Sequence, residues 1–206
     1  MSRYILASQS PRRKQLLTWA DIEFDIIVSA AAEDYPSVMD LQEVPVHIAQ
    51  KKAIAVQKKI KNELPIHHGK WIIAADTIVV LENEIIGKPI DRADAISILQ
   101  KLSGKTHRVI TGVYIITESE SRYFSETTLV HFHPITLSQI EYYVDQYQPY
   151  DKAGAYGIQE WIGFIGVSKI EGSYANVMGM PTDKVFNYLS KPVSVSIGRG
   201  LDFLFP

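Results

Sequence analysis

Trp71-Ile72-Ile73-Ala74-Ala75-Asp76-Thr77-Ile78-Val79-Val80-Leu81 is the strongest strand in the sequence. β-Branched residues dominate it, and an unbroken apolar run is the pattern of a strand covered on both faces. Asp76 interrupts the run at its middle. A buried carboxylate without a partner is costly, so Asp76 must be protonated, paired or bound to metal. A structural carboxylate satisfied by N–H donors and a functional one both meet that condition. Downstream, Glu82-Asn83 forms a hairpin turn, Glu84-Ile85-Ile86 returns as its second arm, and Gly87-Lys88-Pro89 ends it in a defined shape. That hairpin brings Lys88 near the strand end that carries Asp76.

Upstream, Tyr4-Ile5-Leu6-Ala7 is a strand, Ser8-Gln9-Ser10 a tight turn, and Pro11-Arg12-Arg13-Lys14 the first turn of a helix. Ser10 suits the N-cap, and proline the first helical position. Three cations at the positive pole of a helix carry the wrong sign, at about 0.3–1 kcal/mol each. Two explanations fit. The stretch is a phosphate receptor of serine hydroxyls, free N–H groups and guanidiniums, or it is a solvated basic helix start paired to surface carboxylates.

Alternation of Phe24, Ile26 and Val28 against Glu23, Asp25 and Ile27 predicts a strand over 22–28. Ser29 to Asp40 is a loop in which Glu33-Asp34 is either a wet acidic pair or a carboxylate facing the phosphate site. Pro45 to Ile60 is a helix with Ala49, Ala53, Val56 and Ile60 on one face. Lys52 adjoins that face; taken alone it reads as a snorkelling surface lysine. His67 and His68 lack metal-ligand spacing and read as exposed. Asp91 starts a helix with an inner stripe of Ala95, Ile98, Leu99 and Leu102. Strands follow over 108–117 and 122–132, where Gly112 marks a bulge or a close ligand approach. His131 and His133 share a face without a third ligand and read as solvent-exposed. Thr136-Leu137-Ser138-Gln139 is a capping box. Asp151 to Gln159 is a shaped loop, Trp161 to Ile170 a strand, and 172–174 a turn. Pro181 starts a last helix to Leu189, and residues 191–206 form a tail behind a single domain over 1–190.

Composition bounds the function. The chain has 206 residues, 46% hydrophobic and 21% charged, which is ordinary globular usage. A net charge of −2 argues against broad capture of nucleic acid. The absence of cysteine excludes disulfides, thiolate metal sites and thiol catalysis. No apolar run reaches the ~20 residues of a membrane span and no signal pattern opens the chain, so no membrane association and a cytoplasmic location are expected. Strands and helices mix without strict alternation, which favours an α/β or α+β mixed sheet over a Rossmann domain.

Six blocks in order resemble the Maf family of nucleoside triphosphate pyrophosphatases: 6–13, Ala75-Asp76-Thr77, Gly87-Lys88-Pro89, Leu102 to His107, 151–159 and 172–181. Gly154-Ala155-Tyr156-Gly157-Ile158-Gln159 looks like the branch acting on dTTP and UTP or on modified pyrimidine nucleotides. The resemblance implies an elongated α/β fold with a mixed sheet flanked by helices, a cleft between two lobes, and a homodimer. It implies a divalent metal, usually magnesium, to which Glu33 and Asp76 offer hard oxygen ligands, each as metal ligand or as the group that holds water. By the same carry-over Asp76 is the proton acceptor, and Arg12, Thr77 and Gln159 select the substrate. Ser8, Ser10, Arg13, Lys52 and Lys88 hold phosphates. The departures are Gln148-Pro149 for Glu-Pro and Gly179-Met180-Pro181 for Gly-Leu-Pro, neither at a pocket position. The family's association with septation leaves an alternative, a nucleotide-binding regulator of cell division without turnover.

Overall fold

The computed structural model describes residues 3–117 and 119–190; the tail expected over 191–206 lies outside them. Seven strands form one mixed sheet: β1 (Tyr4–Leu6), β2 (Phe24–Ile26), β3 (Trp71–Leu81), β4 (Glu84–Ile86), β5 (Thr106–Ile116), β6 (Ser121–Phe132) and β7 (Val167–Glu171), in the order β2-β1-β3-β5-β6-β7 with β4 also on β3. β2, β1 and β3 run parallel, while β3, β5, β6 and β7 pair antiparallel. The helices are α1 (Pro11–Trp19), α2 (Val44–Glu63), α3 (Arg92–Leu102), α4 (Leu137–Tyr147), α5 (Trp161–Gly166), α6 (Tyr174–Met178) and α7 (Thr182–Ser190). None of the described helices is long and apolar enough to cross a membrane.

The central strand distributes the core by its period of two. Ile73, Ala75, Val79 and Leu81 pack with Leu99 of α3 and Ile140 of α4 on one face. Ile72 and Ala74 pack on Ala49, Ala53 and Val56 of α2 on the other, and Ile78 and Val80 meet Val44 and Ile48 of the same helix. This two-sided cover is why the run reads as continuously apolar. Each such aliphatic side chain, fully buried, contributes about 1.5–3 kcal/mol.

Several sequence expectations change. Trp161 to Ile170 is not one strand: α5 occupies its first half and β7 its second. Only Ile162 and Gly166 of α5 are buried, a spacing of one helical turn that the surrounding apolar residues hide. The turn at 172–174 passes directly into α6, capped by Ser173. Gly112 causes no bulge, since it stays in register between Asp76 and Ser125. A Cβ there would lie 2.2 Å from the Val46 nitrogen and 2.3 Å from the Pro45 carbonyl carbon. The close neighbour is the start of α2, not a ligand. His131 is half-buried, 2.9 Å from Glu171 Oε1 and 2.7 Å from Thr106, rather than solvent-exposed. His67 is likewise half-buried, 3.5 Å from Asp25.

Candidate active site

The cleft opens where the edge of β3 is split. β5 covers one edge of β3 over Ile72–Val80. On the opposite edge β1 pairs only with Trp71–Ile73 and β4 only with Val79–Leu81. The uncovered stretch between them carries Asp76 and Thr77. The chain leaves β1 beside this gap, with Ala7 N–H bonded to the Ile73 carbonyl at 2.8 Å, and turns through Ser8 and Ser10 into α1. A gap of this kind at a strand's carboxyl end is where open α/β sheets receive ligands.

Alternation then sends the two polar residues to opposite faces. Asp76 faces α2, where Lys52 Nζ lies 2.7 Å from its Oδ1. Lys52 also meets Glu33 Oε1 at 2.7 Å, and Lys88 stands 3.9 Å from the other Glu33 oxygen. Lys52 therefore points inward and does not snorkel. Its hydrogen bond is the main cause that holds Glu33 below the usual carboxylate range, against a smaller opposing effect of burial. Asp34, by contrast, pairs with Lys51 on the exposed side. Asp76, 13% exposed at its side chain, has solvent access, and its second oxygen has no hydrogen-bond partner among the described residues.

Thr77 faces the other way. Its hydroxyl accepts from Arg13 Nη2 at 3.1 Å and lies 3.0 Å from Thr111. Arg13 Nε donates to the Gly179 carbonyl at 2.9 Å, and Nη1 to Ser8 at 3.3 Å. Every one of these acceptors is neutral, and no carboxylate lies within 4.0 Å of Arg13 among the described residues. Burial pulls Arg13 below its ordinary range, opposed by the charge of Asp76. Arginine nonetheless remains protonated. The predicted N-cap is present, since Ser10 accepts from Arg13 N–H at 3.4 Å.

The far wall is the loop from Asp151 to Gln159. Gly154 and Ala155 both take positive φ, 73° and 56°, which turns the chain sharply against β3. A non-glycine residue in that region is strained by about 1–3 kcal/mol. Gln159 lines the cavity with Arg12, Arg13, Lys52, Asp76, Thr77 and Lys88. Its Oε1 is buried without a hydrogen-bond partner among the described residues. Ser8 and Glu33 line the adjoining open part of the cleft. The structure thus brings every site residue expected from sequence into one continuous cleft.

Other residues escaped the sequence reading. Arg12 donates to Asp151 at 2.9 Å, and Lys152 lies 2.7 Å from Asp151 and 3.1 Å from Glu160. Burial raises Asp151, but bonds from Lys152 and Arg12 outweigh it and leave the group below its ordinary value. Tyr156 lines the cavity, and its hydroxyl rests 2.8 Å from Nε2 of the buried His107. Asn176, fully buried, donates from Nδ2 to Val109 O and Thr128 Oγ1, while its backbone carbonyl accepts from the Thr111 hydroxyl. The signal available for Lys152 was a charged pair, Asp151-Lys152, opening a glycine-rich loop. Nothing in the local pattern marks Asn176.

Among the described residues no group of three or more His, Asp or Glu could hold a metal by itself. Glu33 and Asp76, however, come from different elements and aim at one cation, the Lys52 ammonium. Two convergent hard oxygens suit magnesium, which binds through one or two carboxylates, substrate phosphates and water.

An open mixed sheet, split at a strand that carries a cation-rich cleft, defines an α/β protein built to receive a polyanion. Comparison gives the particular family. A family model described as Maf-like protein matches residues 3–192, and the chain belongs to that family. A dTTP/UTP pyrophosphatase of Porphyromonas gingivalis is 45% identical over 188 residues, covering 91% of this chain and 92% of the relative. One of Bacteroides fragilis is 45% identical over 194 residues, covering 93% and 97%. One of Phocaeicola vulgatus is 46% identical over 190 residues, covering 92% and 95%.

Proposed function

We propose that this chain hydrolyses dTTP and UTP to the nucleoside monophosphate and pyrophosphate. The observation that carries this reading is a half-buried guanidinium, Arg13, bonded only to neutral acceptors, lining one cleft with the unpartnered Oε1 of Gln159. The first lacks an anion and the second lacks a donor. A nucleotide with an N–H on its base edge supplies both.

In this mechanism the triphosphate lies along the Ser8 to Arg13 turn, with Lys52 and Lys88 beside it. Asp76 uses its open oxygen to take a proton from water as the water oxygen bonds to the α-phosphorus. The bond from that phosphorus to the bridging oxygen breaks, and pyrophosphate leaves with the electron pair. Arg13, Lys52 and Lys88 hold the charge that builds on it. A bound divalent cation, held by Glu33 and Asp76, would supply further charge neutralisation on the phosphates. Gln159 accepts from the imide N–H of the base, which cytosine lacks. Arg12, anchored by Asp151, borders the same end. Retention of a cleft carboxylate with an open oxygen gives no support to a purely regulatory binding role. The family resemblance is the support for a cytoplasmic homodimer that acts on free nucleotides.

The test is a panel of nucleoside triphosphates with purified protein, magnesium and pyrophosphate detection. Selective release from dTTP and UTP, lost on chelation and restored by magnesium, is expected. Equal release from all bases, or none, overturns the assignment.

A further inference from the structure

Lys152 is a buried cation in the lining of the cleft. Its side chain is 9% exposed. Desolvating an ammonium costs several kcal/mol, and a well-packed apolar side chain in such a position is often neutral or better for stability. Lys152 nonetheless bridges two carboxylates, Asp151 Oδ1 at 2.7 Å and Glu160 Oε1 at 3.1 Å.

Those two carboxylates lead in opposite directions. Asp151 holds Arg12 through its other oxygen at 2.9 Å. Glu160 accepts the Tyr143 hydroxyl, which in turn accepts the Gly157 N–H at 3.0 Å. Tyr143 is fully buried in α4 and cannot shift cheaply. Glu160 is also the residue at the start of α5, yet its carboxylate makes no capping bond there. It is turned instead toward Lys152. The chain of contacts therefore runs from Arg12, at one rim, to the backbone of Gly157 and the residue adjoining Gln159, at the other.

We infer that Lys152 is a positioning residue for base selection, acting through Arg12 on one side and the 157–160 segment that presents Gln159 on the other. The inference rests on the nucleotide reading above and adds to it the device that keeps the two selecting side chains at one separation. The phosphate end needs no such link. Arg13 and Lys52 belong to α1 and α2 and Lys88 to the segment after β4, and among the described residues none of their hydrogen bonds or ion pairs involves Lys152.

Binding contrasts test this without turnover. Affinities for an α,β-nonhydrolysable dTTP analogue and for inorganic tripolyphosphate are measured by calorimetry on the wild-type chain, Lys152→Met and Glu160→Gln. Glu160→Gln weakens the same bridge from the other end and guards against a folding failure in the first variant. Circular dichroism and melting check the fold of each. The expected result is a loss of about tenfold or more for the analogue in both variants, as a misplaced positioning group produces, with tripolyphosphate changed less than about twofold and Lys152→Arg recovering part of the loss. Equal losses for both ligands in folded variants, or no loss for either, overturn the inference. Failure of the wild-type chain to hydrolyse any nucleoside triphosphate would count against the functional reading alone, because the binding contrast is independent of it.

Discussion

The two ends of the cleft are built from different materials. The phosphate end hangs its central side chains on regular elements, Asp76 on β3, Arg13 on α1 and Lys52 on α2, with Ser8, Glu33 and Lys88 on the segments that adjoin them. Their directions follow from the strand's alternation and the helix's first turn. The base end rests on an irregular loop with two residues at positive φ, and a buried network has to hold it. Beneath that loop, His107 supports Tyr156 within a cluster completed by Phe132. A charge-holding site tolerates coarse placement because Coulomb attraction falls slowly with distance. A site that distinguishes one base edge from another depends on hydrogen bonds, which weaken steeply with misalignment.

The largest effect should come from the phosphate end. Asp76→Asn is expected to lower kcat about 10²–10⁴-fold, the usual worth of a positioned base, with the fold intact by circular dichroism. Near-normal kcat would remove Asp76 from proton transfer and dissolve the contrast on its catalytic side.

The support under the base end should be visible in stability. Burial, with a smaller contribution from the charge of His131, pushes His107 down to about 4. Its ordinary value is 6.5, so between these limits the unfolded chain binds more protons and stability rises with pH. The contribution is complete above about pH 6.5 and is lost as pH falls toward 4, on the order of 3 kcal/mol in all. Urea unfolding at pH 7.5 and pH 5 should show the wild-type midpoint falling, and His107→Gln should flatten that dependence. A slope that survives the substitution would place the acid sensitivity elsewhere.

The smallest effect is the most specific. Gln159→Ala should lower the preference for dTTP over dCTP about tenfold, the worth of one hydrogen bond in a buried site, while kcat for dTTP changes less. An unchanged base profile would move selection away from Gln159 and leave the two ends functionally alike.

Legibility in the sequence follows the same division. Ser10 as cap, the capping box at Thr136, the stripe of α3 and the reach of β3 were readable because each depends on local periodicity or local hydrogen bonding. Asp76 announced itself as a charge inside an apolar run. Lys52 did not, because whether a lysine beside an apolar stripe turns out or in depends on what stands across from it. The segment from 161 to 170 misled because a short apolar run suits either element until its neighbours choose. The family blocks supplied the site residues as a set, but the network through Lys152 and Glu160 was not among them.

The sequence by itself determined the long strand β3, the capped helices, the basic turn that opens α1 and the presence of one costly carboxylate, since these depend on neighbours along the chain. The tertiary structure decided what lies across the cleft. The split edge of β3 sends Asp76 to Lys52 and Thr77 to Arg13 by strand alternation alone. The loop closes over them from a point far along the chain. The contacts that hold it join Arg12 to Asp151 and Tyr143 to Glu160, pairs that only folding brings within hydrogen-bond reach.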